Sequence, residues 1–305
     1  MANFVIEYAS MDDRGAAIHA SGVVLTPIDC RRCGYNLYGL SADGPCPECG
    51  ADVWDSIVYT VDPAASGLPH LRNPGVVGDG LLWLMVSLAI ASLLLVVRPL
   101  AQWIDAMDPA GVGSLAGATP SWLGLVAGLI GLAALVWVKR LAPPAGEERD
   151  SSVWRDVRWL GAGLAGWSVL ILAAWILEFA GAPRWAILAL WPGIAAAAVA
   201  GLIGLRGVLG TIGLRSRDYR TARGGRQGIR AMIAATIGMA AGQVIRLLAG
   251  GMDLDALATL GAVATSICTL MMVIGLGYLV VNAWWIRRSL RCPPPRLDEI
   301  LGPPT

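Results

Sequence analysis

Charge is scarce in this chain. Asp, Glu, Lys and Arg make up 15% of its 305 residues, against about 25% in soluble domains. The formal net charge is +1, so no global field draws nucleic acid or keeps so apolar a chain in solution. Histidine is scarcer still. His19 and His70 are the only two, and both precede the long apolar runs, which leaves little for acid–base catalysis. An H-E-x-x-H helix, a nucleophile elbow and a Walker loop are all missing. The opening MANFVIEYASMDDRG has no basic stretch followed by continuous apolar residues. No cleavable signal is expected, and the first span is expected to direct insertion. Together these shortages exclude a soluble globular enzyme and a disordered tail protein.

What the chain does have is apolar length. Hydrophobic residues make up 56% of it and the mean hydropathy is +0.61. The surplus comes with 38 glycines and only 2 phenylalanines, a balance suited to closely packed membrane helices. A spanning helix needs about 20 apolar residues. Six segments meet or approach that length: 80–103, 121–138, 159–180, 185–207, 229–250 and 256–286. The fifth is the weakest, with 15 uncharged residues before Arg246. The sixth has 31 uncharged residues, so it is expected to tilt, kink or begin in the interface.

Tryptophan and arginine mark the limits of these segments. Trp83 and Trp103 bracket the first, Trp122 and Trp137 the second, and Trp159 and Trp175 the third; Trp185 opens the fourth, and Trp284 and Trp285 close the sixth. Indole rings favour the headgroup level. Of the 23 Lys and Arg, 20 lie before span one, between two and three, between four and five or at their facing ends (Arg206 and Arg230), or after six. The positive-inside bias therefore alternates through six spans and predicts an inner-membrane protein with N- and C-termini in the cytoplasm.

Four of the six cysteines form two C-x-x-C pairs separated by twelve residues: Cys30, Cys33, Cys46 and Cys49. Such spacing supplies soft thiolates two at a time to a tetrahedral metal. Gly34 and Gly50 follow the second cysteine of each pair, where the chain must turn in the left-handed region. Two disulfides are the alternative, disfavoured by cytoplasmic placement. A segment this short also lacks the core to fold alone, and a metal supplies the staple. Val23–Leu25, Ile28, Tyr35, Leu37, Leu40, Trp54 and Ile57–Tyr59 are the candidate core of a small β-ribbon. Zinc is the favoured ion. Iron is the alternative, since these knuckles are also similar to rubredoxin-type iron sites and four thiolates accept iron in the same geometry.

The segment CRRCGYNLYGL…CPECG resembles the zinc-ribbon signature CRxCGYxLxGL…CPECG, found at the N-terminus of uncharacterised, planctomycete-type bacterial multi-span membrane proteins. The resemblance covers residues 26–55, with Tyr38 where arginine is common. It implies a zinc ribbon on a membrane protein, with no established activity. Residues 21–62 hold two basic residues and six acidic ones, and zinc with four thiolates adds about −2 more. Nucleic acid is an unlikely partner for so acidic a ribbon; protein contact suits it better.

Other signals are absorbed by packing or topology. The GxGxxG of Gly161–Gly166 lies inside a span rather than after a strand, so it is read as helix packing. Gly124/Gly128 and Gly238/Gly242 are GxxxG pairs that let helices approach closely, within the bundle or in a homo-oligomer. Arg206 and the run Arg215, Arg217, Arg220, Arg223, Arg226 and Arg230 face one acidic residue, Asp218. That basic loop is expected to touch anionic membrane lipid, at roughly 1 kcal/mol per residue. Gln243, Thr265, Ser266 and Asn282 are expected to make interhelical hydrogen bonds, and no acidic relay marks an ion path.

The sequence thus predicts an α-helical integral membrane protein, a six-helix transmembrane bundle preceded by a small β-rich zinc-ribbon domain. Its parts are a loose tail (1–20), the cytosolic ribbon (21–62), a linker (63–79), the membrane domain (80–286) and a proline-rich cytosolic tail (287–305). A non-enzymatic interaction or scaffold role is favoured. A transporter or channel component and a membrane redox protein are the alternatives.

Overall fold

The computed structural model describes residues 22–62, 65, 68, 71, 73–107, 119–120, 122–141, 152–222, 228–250, 252, 254–295 and 297–301. The expected N-terminal tail, both histidines, Arg223 and Arg226 lie outside them. Ten α-helices follow in order among the described residues: α1 (Val53–Val61), α2 (Pro74–Met107), α3 (Leu123–Leu141), α4 (Ser152–Phe179), α5 (Arg184–Leu188), α6 (Trp191–Ile212), α7 (Arg217–Thr221), α8 (Ile229–Gly250), α9 (Asp255–Arg291) and α10 (Leu297–Ile300). The chain divides into two compact units. One combines the described residues up to 65 with 294–301, and the other holds 68–293.

The second unit is built from the six long helices. Five stretches are long and apolar enough to cross a membrane: Pro74–Val97, Leu123–Leu141, Val153–Phe179, Trp185–Arg215 and Ala256–Arg291. The remaining expected span is the helix α8, 22 residues long. Of the expected tilt, kink or interfacial start of the last span, a break in the helix is the one not seen. α9 runs unbroken for 37 residues, about 55 Å at 1.5 Å per residue, well beyond a hydrocarbon core of about 30 Å. Many apolar side chains point outward, among them Leu93, Leu129, Val169, Ile203, Ile237 and Ile274. A water-soluble surface does not carry so continuous an apolar coat. Trp122 and Trp185 are exposed at helix starts, and Trp83, Trp159 and Trp284 are exposed two to three turns in from an end; indole N–H groups favour a headgroup layer.

Each long helix packs on its neighbours in a closed order: α2 on α3, α3 on α4, α4 on α6, α6 on α8, α8 on α9, and α9 back on α2. Glycine sets the separation at five of these six seams. On α3, a Cβ at Gly128 would stand 2.6 Å from Leu172 Cγ, while one at Gly124 would meet Trp175 at an ordinary 3.4 Å. On α8, Cβ atoms at Gly238 and Gly242 would stand 2.7 Å from Cys268 Sγ and 2.5 Å from Thr265 Oγ1. Both GxxxG pairs therefore face helices of the same chain. Gly163, from the GxGxxG run, lies directly against the Gly201 backbone. Gly78 and Gly80 on α2 meet Arg287 on α9 and Arg140 on α3. The α6–α8 seam has no glycine contact of this kind among the described residues.

One end of this ring is packed solid. Leu81, Leu84 and Met85 of α2 join Val138 and Leu141 of α3, Leu160 of α4, Leu205 and Val208 of α6, Met232 of α8, and Leu279 and Ile286 of α9 in one buried cluster. At the same end Asp79 binds Arg287 Nε at 2.5 Å and Arg291 Nη2 at 2.7 Å. Asp79 was expected in a linker. Because α2 begins at Pro74, it instead lies in the first turns of the helix, facing the last turns of α9. The ion pairs close the seam where the apolar cluster ends.

Two glycines test the role of close approach. Gly163→Ala should destabilise the bundle by about 1–3 kcal/mol, the cost of overpacking. Gly210→Ala, whose Cβ would meet nothing within 4 Å, should instead stabilise by about 0.5–1 kcal/mol through helix propensity. Thermal unfolding of the purified protein in detergent compares them, and equal effects would remove the packing argument.

Candidate metal centre

The four cysteines of the sequence motif come together. Their Sγ atoms all lie within 4.8 Å of one another; Cys30 and Cys49 are 3.6 Å apart, and Cys33 and Cys46 3.7 Å. A tetrahedron with metal–sulfur bonds of about 2.3 Å has edges of about 3.8 Å, and a disulfide would need about 2.05 Å. The arrangement fits a four-thiolate metal site.

The two halves of the site are built alike. In the first, Cys30 N–H donates to Tyr35 O at 2.7 Å and Gly34 N–H to Cys30 O at 2.8 Å. In the second, Cys46 N–H donates to Ala51 O at 2.7 Å and Gly50 N–H to Cys46 O at 2.9 Å. Gly34 and Gly50 take φ of 78° and 69°, the left-handed region expected of the turns that follow each pair. Isolated bridges Asp29–Asn36 and Pro45–Asp52 close the two knuckles. The unit has such bridges but no extended strand among the described residues, so the β-rich ribbon expected from the sequence is not seen there.

Part of the expected ribbon core is helical. Asp52 caps α1, accepting from Trp54 N–H at 2.9 Å. Val53, Ile57 and Val61 then fall on one face and are buried, the spacing of an amphipathic helix rather than of alternating strand residues. Ser56 on that face accepts from Arg31 N–H at 3.2 Å, and the Arg31 guanidinium lies 4.4 Å from the Tyr59 ring centroid. Both contacts hold the first knuckle against the helix.

The unit is completed from far away in sequence. Ile300 is fully buried in the same core as Val24, Leu37, Val53 and Ile57. Leu25 N–H donates to Ile300 O at 2.7 Å and Thr26 Oγ1 to Glu299 O at 2.7 Å, and Val24 bridges Leu301. Residues 287–305 were expected to form a proline-rich tail; the first five of them continue α9, and residues 297–301 pack into this core. The signal for docking was present in Leu297, Ile300 and Leu301, three apolar residues among prolines and acids.

Electrostatics point to a cation. Backbone N–H groups of Cys33 and Arg32 pull the Cys30 thiol down to about 6, against burial. The Cys33 thiol is pulled down by Tyr35 N–H, but burial and the three neighbouring thiols outweigh this and push it up to about 12. One thiolate forms readily and the next is opposed by it; a divalent ion removes that conflict.

The other predicted residues do not form one site. Arg215, Arg217 and Arg220 are half-buried in a folded connection rather than strung along a loop. There Gly213 lies against the Tyr219 ring, Arg220 donates to Leu214 O, and Ser216 Oγ is 3.0 Å from Ser289 Oγ. Arg230 is exposed at the start of α8. Thr265 and Ser266 bond back to Gly261 O and Ala262 O, both at 2.9 Å, within α9 rather than across helices. Comparison with models of protein families, with characterised proteins and with solved structures gives no match. The chain has the helices of a membrane protein and a four-cysteine cluster that fits a metal ion.

Two measurements probe the centre. At neutral pH, metal binding must displace protons, from Cys33 above all. Affinity should therefore rise with pH, and the dependence should steepen by one proton as pH falls through about 6, where Cys30 also protonates. Chelator competition over roughly pH 5–8 reads this, and a flat profile would count against thiolate ligation. Separately, Ile300→Ala should cost the unit about 2–5 kcal/mol and speed metal release to a chelator. An unchanged release rate would show that the docked segment is dispensable.

Proposed function

We propose that this chain is a six-span inner-membrane protein that displays a zinc-stabilised, acidic ribbon to the cytosol as a non-enzymatic docking module. The observation that carries this reading is the closed shell of four cysteines. All four corners of the tetrahedron are protein thiols, so a bound ion has no open position for water or substrate. Zinc suits that role because it has no redox chemistry. Iron would need an electron partner, and no carboxylate–histidine cluster lies among the described residues to act as one.

Six crossings are supported by the packing of residues 297–301 with residues 22–62. Two segments that share a core lie on the same side of a bilayer, so the chain between them crosses an even number of times. Five crossings break that rule, and α8 is the helix available to restore it. The arginines flanking the helices support the cytosolic side. Partner contact is supported by Asp29, Asp43, Glu48, Asp52 and Asp55, all exposed on the ribbon. The resemblance to planctomycete-type ribbon-bearing membrane proteins agrees with this reading.

Metal analysis of the purified protein should return one zinc per chain and no visible absorbance; a red, redox-active preparation would sink the structural-zinc reading. Reporters inserted after Arg140 and Arg217 should both read cytoplasm, and one at Gly181 the outside. Charge reversal at Asp43, Glu48 and Asp55, with all four cysteines kept, should abolish partner capture in a crosslinking pull-down. Unchanged capture would end the docking proposal.

A further inference from the structure

The end of the ring opposite Asp79 and Arg287 is hollow. A cavity of about 1360 Å³ lies there, lined by all six long helices. Ligand pockets commonly measure about 300–1,000 Å³, so this one exceeds the needs of a small polar metabolite. Its lining is graded. Glu178 in the last turn of α4 and Arg246 near the end of α8 lie at the loop end. Deeper in, Leu164, Leu202, Met272 and Leu276 give an apolar wall. From Glu178 to Leu164 is 14 residues along α4, about 21 Å at helical rise, longer than one leaflet of a hydrocarbon core of about 30 Å. Beneath that wall the buried leucines of the packed end close the passage.

Gln243 is a polar member of the wall. It is 7% exposed and lines the cavity. A carboxamide carries two N–H donors and a carbonyl acceptor, so one that lines a mostly apolar cavity offers hydrogen bonds to a polar group placed there. The side wall offers an entry. α6 and α8 both line the cavity, and theirs is the one seam without close glycine contacts among the described residues.

We infer that this cavity binds a membrane lipid. Its acyl chain lies along the apolar wall, its headgroup end is hydrogen-bonded by Gln243 near Arg246 and Glu178, and it enters from the bilayer between α6 and α8. A water-soluble solute would leave that wall unsatisfied, and an ion would find no ring of ligands. The closed inner end makes the cavity a binding site rather than a pore.

The test uses the full chain in detergent, titrated with a phospholipid carrying a dibrominated acyl chain. Bromine quenches tryptophan at contact, and Trp167, Trp175, Trp185 and Trp191 line the cavity. Quenching should saturate at about one lipid per chain, and native mass spectrometry should retain that lipid. Ala198→Phe, which places a ring in the cavity, should abolish the saturable phase, and Ile203→Phe, on the exposed face of the same helix, should not. Gln243→Leu, which keeps the shape, should weaken binding about tenfold. Helical content and metal load confirm that each variant is folded. Quenching that never saturates, or that is identical in Ala198→Phe and Ile203→Phe, overturns the proposal as surface lipid only. If Ala198→Phe fails to fold, unchanged affinity in Gln243→Leu overturns it.

Discussion

Residues 297–301 and residues 22–62 share one hydrophobic core, and everything between them has to leave that core and come back. The contacts include the buried side chain of Ile300, the bridge from Val24 to Leu301, and two hydrogen bonds to the carbonyls of Glu299 and Ile300. Their effect on the architecture is large. They make the metal unit a product of two distant segments, and a chain whose distant segments share a core has both on one side of any membrane it crosses. α8, with two arginines and a glutamine, is the long helix whose composition alone does not mark it as a span.

Within the membrane part, the same principle of shared burial works at one end only. Where α2, α4 and α8 begin and α3, α6 and α9 finish, leucines interdigitate and Asp79 joins α2 to α9. Glycine backbones let the helices come close enough for this. The other end keeps the glycine seams but loses the leucine filling, and the space remains. Such a division separates the jobs of the bundle. One end holds the helices in register, and the other keeps a volume that the register does not require.

The legible parts of this molecule were those set by local chemistry. Cys30, Cys33, Cys46 and Cys49 stand at a spacing that only a common ligand explains, and Gly34 and Gly50 occupy turns whose φ a side chain resists. The apolar runs and their bordering tryptophans marked the helices for the same reason, since bilayer thickness fixes their length. What stayed hidden depends on residues far apart or on a period read wrongly. Val53, Ile57 and Val61 repeat every four residues behind a capping Asp52, a helical signal masked by the expectation of a ribbon. Asp79 became informative only once Arg287 and Arg291 were beside it. Leu297, Ile300 and Leu301 signal burial by being apolar among prolines and acids, but nothing local says which core they join. Gln243 belonged to the polar residues noticed in the spans, but its orientation toward a cavity is a property of the packed ring.

The two-segment metal unit also sets an order of events in synthesis. Cys49 is made 252 residues before Leu301, and translation at about 5–20 residues per second leaves that interval at some tens of seconds. The knuckles can take up metal during this time, but the core that encloses them has no Ile300 to close it until every long helix has been produced. A chain arrested or mis-threaded part-way presents an unfinished, apolar-faced metal site to the cell. The finished metal unit is thereby a record that the membrane part was completed.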